Sequence, residues 1–455
     1  VSSANQDALE LVGNTPLVKL SRLDAGPCEL FVKLENQNPG GSIKDRIALS
    51  MIEAAEQSGA LKPGATVVEA TAGNTGLGLA FVAVRKGYKL LLVMPDKMSR
   101  EKISHLRALG ADVRMTRSDV GKGHPAYYQD MAERLARELG GFYINQFENP
   151  ANPLAHERTT APEIWEQMQG KLDAVVVGVG SGGTITGLSR YFARTAPEVE
   201  LVLGDPAGSV LAEYVASGKL GQAGSWLVEG VGEDFVPKIC DLSRVKQAFT
   251  ISDEESFAAA RDLLRHEGIL AGSSSGLLVA AALRYCRKQS QPKRVVTFIC
   301  DSGNKYLSKM FNDLWMREQG FLRDVGHGDL RDLVSRRAND GGLISVGPEE
   351  TLLIAYQRMK LADVSQVPVL DGDKIVGMID ESDLLLAVHD DPQRFREPVK
   401  GMMTRNLVTV DPRATLDSLS PLFERGLVVI LMSEGKFYGL ITRMDVLNHL
   451  RRRLG

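Results

Sequence analysis

Up to residue 322, short runs of β-branched and aliphatic residues take turns with helix-periodic stretches. The runs at 66–70, 89–94, 173–179, 199–205 and 294–300 predict strands, and 99–109 and 127–139 predict helices. Strands separated by helices need crossover connections, so the sheets must be largely parallel and covered on both faces. This is an α/β pattern with open sheets. In such sheets ligands collect at the loops beyond the carboxyl ends of the strands. Hydrophobic residues make up 44% of the 455 positions and charged residues 24%, which is enough apolar material for the core that such a fold needs. The length predicts more than one domain.

Beyond Phe321 the texture changes. The stretch 323–342 is charged and contains glycine, which predicts a linker between a first domain over 1–322 and a module over 343–455. That module repeats internally. Residues 343–390 and 402–450 each predict strand–helix–strand–strand–helix. Gly377 matches Gly439 and Asp383 matches Asp445, both 62 residues apart, while Thr351 matches Thr415 at 64. Two half-sized α+β units, each apolar on one face, are expected to pack as one module.

The formal charge is −3, so no broad basic surface for nucleic acid is expected. No run approaches the roughly 18 apolar residues of a membrane helix. The first residues lack the basic start and apolar core of a secretory leader. Cys28, Cys240, Cys286 and Cys300 have neither C-x-x-C nor zinc-site spacing, so no metal is expected. A reducing, cytoplasmic setting fits free thiols.

Four turns carry the chemistry. GGSIKDR (40–46) sets Lys44 behind glycines at the start of an apolar-periodic helix. Burial and the positive end of a helix dipole both favour a neutral amine there. A neutral amine is what a Schiff base with an aldehyde cofactor requires; a solvated lysine is the plain alternative. TAGNTG (71–76) follows a strand and opens a helix, so its free N–H groups suit a carboxylate or a phosphate. Asn74 adds an amide for a ring hydroxyl, although a plain βα turn has the same composition. GVGSGGTITG (178–187) contains the weak G-x-G-x-x-G pattern. No acidic ribose partner stands at the expected place about 20 residues on, and no lysine follows the glycines, so one phosphate is preferred over a nucleotide. AGSSSG (271–276) opens another helix, where serines are ordinary caps or present a hydroxyl to a heterocyclic nitrogen. Together these turns supply an amine, an anion loop, a phosphate cup and a partner for a ring nitrogen, which is the set that pyridoxal phosphate needs.

The four turns resemble the signature of the β-family (fold type II) of pyridoxal-phosphate enzymes. Within it, the segments 144–164, 171–187, 229–241 and 301–322 are similar to cystathionine β-synthases, and the C-terminal repeat resembles the tandem CBS motifs (Bateman module) named after them. The resemblance implies a two-subdomain catalytic domain with Lys44 as the Schiff-base lysine. It places Asn74 on the cofactor's ring oxygen, Gly180, Ser181, Gly182, Gly183 and Thr184 around its phosphate, and Ser274 at its pyridine nitrogen. Thr71, Ala72, Thr75 and Gln146 would line the substrate carboxylate. The implied reaction condenses L-serine with L-homocysteine to L-cystathionine and water, with hydrogen sulfide released when cysteine is used, in a homodimer or higher homo-oligomer. S-adenosylmethionine or another adenosyl nucleotide is a candidate ligand of the repeat. Thr442 and Asp445 are spaced to meet its ribose, whereas the first copy has Asp380 where Thr442 stands.

Some positions depart from the family. Ala72 stands where Ser is frequent, and Glu233 where animal and yeast members have Tyr. The animal haem segment has no counterpart ahead of Gly13, so no haem is expected. A serine hydroxyl cannot hold the ring nitrogen protonated as a carboxylate would, which favours loss of a β-substituent over transamination. Three other readings remain: a cysteine synthase using O-acetylserine and sulfide, a serine/threonine dehydratase, and a non-catalytic adenosyl-nucleotide sensor. The intact Lys44, phosphate turn and Ser274 count against the last.

Overall fold

The computed structural model describes residues 5–451, apart from 72, 97, 99, 122, 323–325, 335 and 339–342. Ala72 and part of the expected linker therefore lie outside the described residues. The chain divides into two compact units, Val1–Phe311 and Asn312–Gly455.

In the first unit, ten strands make two sheets: β1 (Leu17–Lys19), β2 (Glu29–Lys33), β3 (Thr66–Ala70), β4 (Lys89–Pro95), β5 (Asp112–Thr116), β6 (Phe142–Tyr143), β7 (Ala174–Val177), β8 (Glu200–Pro206), β9 (Val245–Ile251) and β10 (Arg294–Phe298). The larger sheet has the order β1-β2-β10-β7-β8-β9 and is parallel except for β1 at its edge. The smaller, β5-β4-β3-β6, is parallel throughout. β7 is buried at every position and β4 at all but its first, because a parallel strand between helix layers has two covered faces. The predicted strands at 173–179 and 294–300 end two residues early. Gly178–Val179 and Ile299–Cys300 leave the ladder to start loops.

Three neighbouring strands decide where the chemistry gathers. β2, β10 and β7 lie side by side and run the same way. Their carboxyl ends feed residues 34–43, 299–303 and 178–182, so three loops leave one edge of the sheet together. β3 ends in the fourth loop, 71–76. The helix that follows it, Asn74–Lys86, packs on the helix Lys44–Gln57 so closely that a Cβ on Gly78 would stand 3.0 Å from the Lys44 carbonyl oxygen.

The second unit holds the hairpin β11 (Gln366–Asp371) and β12 (Lys374–Asp380), and a three-stranded sheet of β13 (Thr409–Val410), β14 (Val429–Ser433) and β15 (Lys436–Ile441). Each repeat has its own apolar core. The leading strand expected in the first repeat is reduced to one bridge, Val346 to Val369. The second unit begins at Asn312, earlier than the expected boundary at 322. Leu330, Leu333 and Val334, inside the expected linker, are buried with Leu419, Val429 and Ile441 of the second repeat. Their i, i+3, i+4 spacing puts them on one face of a helical turn, which the surrounding charges mask in the sequence. Among the described residues, no helix is long and apolar enough to cross a membrane.

Candidate active site

The segment continuing β10 is the hub of the site. On one side it holds the lysine loop: Ile43 N–H donates to the Cys300 carbonyl (2.8 Å) and Ser302 N–H to the Gly41 carbonyl (3.2 Å). On the other it holds the approach to the serine helix, Ser273–Arg287. Gly272 N–H donates to the Asp301 carbonyl (3.0 Å) and Gly303 N–H to the Leu270 carbonyl (3.1 Å). Lys44 opens its helix from this anchored loop. Among the described residues no hydrogen bond or ion pair engages its Nζ. Burial holds the amine below the ordinary lysine value, while Cys300 and Glu233 act in the opposite direction.

The turn after β7 is shaped by close packing. Gly182 has φ 86°, and a Cβ there would lie 2.5 Å from the Cys240 Cβ. The helix Gly183–Thr195 starts here, and the N–H groups of residues 180–185 have no backbone acceptor among the described residues. Asn152 Nδ2 donates to Ser181 Oγ (2.9 Å). His156 bridges Thr184 Oγ1 (3.2 Å) and Thr160 Oγ1 (2.9 Å). Burial first, then the charges of Arg46 and Lys44, keep that imidazole neutral. Lys44 is thus within electrostatic reach of the ring that touches Thr184.

In the loop after β3, Thr71 Oγ1 accepts from the N–H groups of Gly73 (3.1 Å) and Gly76 (3.3 Å). Gly73 has φ 128°, and a Cβ there would meet Lys102 Cδ at 2.6 Å. Thr75 Oγ1 donates to Gln146 Oε1 (2.7 Å), and Gln146 Nε2 donates to the Ala70 carbonyl (3.2 Å). Thr75 and Gln146 are bonded to each other, and Thr71 shapes the same loop. Asn74 Nδ2 donates to Asp301 Oδ2 (2.8 Å), which ties this loop to the hub.

The three serines of AGSSSG divide their work. Ser273 Oγ accepts from Glu229 N–H (3.0 Å) and Ser275 Oγ from Cys300 N–H (2.9 Å), so both are structural. Ser274 is buried against the Cys300 thiol, which burial pushes up to about 12 and the Lys44 charge pulls back down. Glu233 is held through its backbone, its N–H donating to Ser209 Oγ (3.1 Å).

Several site residues escaped the sequence reading. Lys102 Nζ, almost fully buried, donates to Glu229 Oε2 (2.7 Å) and Tyr306 Oη (2.9 Å). Tyr306 Oη in turn donates to Asp301 Oδ2 (2.7 Å). Lys305 Nζ donates to Asn74 Oδ1 (3.0 Å). The partners are separated by more than 100 residues, except for Tyr306 and Asp301, so no local pattern announces them. In the second unit, Thr442 and Asp445 bond each other. Thr442 N–H and Oγ1–H donate to Asp445 Oδ2 (2.7 and 2.6 Å), and Asp445 N–H donates to Thr442 Oγ1 (3.2 Å). This is a capping box, and it accounts for their spacing at a helix start without a ligand.

The donor set in the first unit fits pyridoxal phosphate. Uncommitted N–H groups at a helix start suit a phosphate, an unpaired buried amine suits an aldehyde, and a buried hydroxyl suits a ring nitrogen. Comparison with known proteins agrees. The profile of pyridoxal-phosphate dependent enzymes matches residues 8–301, and that of the CBS domain matches 330–390 and 399–452. A cystathionine beta-synthase of Apis mellifera is 36% identical over 98% of this chain and 91% of its own length. That of Saccharomyces cerevisiae is 31% identical over 99% and 98%. Among solved structures, a hydrogen sulfide-producing enzyme from Fusobacterium nucleatum is 37% identical, covering 67% of this chain and all of its own, with a TM-score of 0.63. O-ureido-L-serine synthase is 36% identical over 68% and 96%, with a TM-score of 0.64. The chain belongs to the pyridoxal-phosphate dependent enzymes and, within them, to the cystathionine β-synthase family.

Proposed function

We propose that this chain catalyses a β-replacement that joins L-serine to L-homocysteine, giving L-cystathionine and water. The observation that carries the reading is Lys44, an amine that burial holds below the ordinary lysine value and that has no partner among the described residues. Relatives named for cystathionine synthesis match through both units, which supports the substrate pair.

Pyridoxal phosphate, when bound, supplies an aldehyde that condenses with amines and a ring that accepts the electron pair released at the α-carbon. The N–H groups of residues 180–185, with the Ser181 and Thr184 hydroxyls, hold its phosphate, and Lys44 holds its aldehyde. Asn74 serves the ring oxygen, and Ser274 meets the ring nitrogen without adding negative charge. The substrate carboxylate rests on the N–H groups of Asn74 and Thr75, in a loop whose shape Thr71, Thr75 and Gln146 maintain. Lys44 Nζ, a free amine while serine is bound, takes the α-proton of serine. The β-hydroxyl leaves as water with the proton given up by the homocysteine thiol, the sulfur closes the new C–S bond, and Lys44 returns the α-proton. With cysteine as first substrate, the leaving group is hydrogen sulfide. The reading includes a homodimer in the cytoplasm: all four cysteines are free thiols, and Leu361, Leu385 and Leu386 of the first repeat stand exposed.

The test compares serine plus homocysteine with O-acetylserine plus sulfide, with product mass measured. Cystathionine formed at the higher kcat/KM is expected; a preference for the second pair makes the chain a cysteine synthase. Lys44→Ala should lose both the bound cofactor's colour and turnover, and retention of both overturns the assignment.

A further inference from the structure

We infer that Lys305 is a positioning residue that orients the Asn74 amide so that a donor, not an acceptor, meets the cofactor's ring oxygen. The inference rests on the reading of Asn74 given above. Lys305 is 6% exposed. Its Nζ donates to three oxygens: Asn74 Oδ1 at 3.0 Å, the Gly41 carbonyl at 3.0 Å and the Gly40 carbonyl at 3.3 Å. An ammonium has three N–H donors and no acceptor, so this set uses it completely. At the other end of the amide, Asp301 Oδ2 accepts from Asn74 Nδ2 at 2.8 Å. A cation on one end and a carboxylate on the other permit one orientation only. Flipping Asn74 would turn its NH2 onto the ammonium and its oxygen onto the carboxylate. The second Nδ2–H, without a partner among the described residues, is then what Asn74 has left to offer. Because the same ammonium grips Gly40 and Gly41, just ahead of Lys44, it also couples the loop carrying the amine to the loop carrying the amide.

Lys305→Met keeps an unbranched apolar side chain one atom shorter and removes the donors, whereas Lys305→Arg keeps donors. Both are read in the full chain loaded with pyridoxal phosphate, by its visible absorbance, its affinity and a thermal melt. In the Met variant the long-wavelength band should give way to the short-wavelength band, and cofactor binding should weaken about tenfold, the effect of one charge-assisted hydrogen bond. The Arg variant should keep the parent's bands. Adding Asn74→Ala to Lys305→Met should change little more, because the lysine acts through that amide. A Met variant that melts lower but keeps the parent's bands and affinity overturns the inference, as do fully additive losses in the double variant. A parent chain that takes up no pyridoxal phosphate overturns the cofactor reading itself.

Discussion

Lys102→Met asks whether the loop 71–76 rests on a desolvated ion pair. Lys102 and Glu229 have side chains only 1% and 7% exposed, with nitrogen and oxygen 2.7 Å apart. Lys309 holds the other carboxylate oxygen at 2.7 Å and is itself 22% exposed. Breaking a buried pair costs about 3–5 kcal/mol, because a charge is left without its partner. Lys309 still neutralises part of Glu229, so the lower end, about 3 kcal/mol, applies here. Methionine keeps the aliphatic chain that passes under Gly73, so the loss is electrostatic rather than a cavity. Urea unfolding of Lys102→Met, Glu229→Gln and the double variant closes a thermodynamic cycle. The double variant should be more stable than the summed losses predict by about 1–2 kcal/mol, because it strands no carboxylate. Burial raises the Glu229 carboxyl, and the attraction of Lys102 and Lys309 outweighs it and leaves the pKa below the usual value. The parent therefore has this contribution above the ordinary glutamate range and loses it as pH falls through the lowered value. Lys102→Met should lose less stability on acidification. Because the loop 71–76 lies over Lys102, KM for serine should rise more than kcat falls. A single-variant loss below about 0.5 kcal/mol, or a coupling near zero, refutes the argument.

Two further outcomes follow from buried or capping groups. Glu69 ends near Gln146, whose N–H donates to its Oε1 (3.3 Å); burial pushes this carboxyl up to about 8, and Oε2 has no partner among the described residues. An acid whose pKa is raised on folding stabilises most below its unfolded value of 4.5 and loses that contribution as pH rises through about 8. Glu69→Gln should therefore lose less stability than the parent between those limits, as read by melting across pH; identical slopes would show that Glu69 is ionised when folded. Thr442→Ala removes the capping box of the helix Arg443–Arg451 and should destabilise the second repeat by about 1 kcal/mol, measured by hydrogen exchange over that helix. Titration calorimetry with S-adenosylmethionine, run on parent and variant, separates the two roles. An unchanged helix together with lost binding heat would favour the ribose contact over the cap.

Local backbone chemistry was readable in the chain, and contacts across sequence distance were not. The four turns could be found because each needs glycine or a hydroxyl at a helix start, a demand met within six to ten residues. The parallel sheets followed from alternation alone, and they place the ends of β2, β10 and β7 side by side. What that placement creates has no local signature. Lys305 reads as one more charged residue, yet it is buried because its three oxygens come from residues 40, 41 and 74. Lys102 and Glu229 look equally ordinary until the fold sets them 2.7 Å apart. The opposite failure occurs at Thr442 and Asp445, where the spacing is clear but serves a helix cap and a ribose equally well. A motif therefore identifies a group able to do the chemistry. Which atom of that group faces the reactants is decided by partners that only the fold supplies. For Asn74, whose two amide ends are chemically opposite, that choice falls to one ammonium and one carboxylate, Lys305 and Asp301.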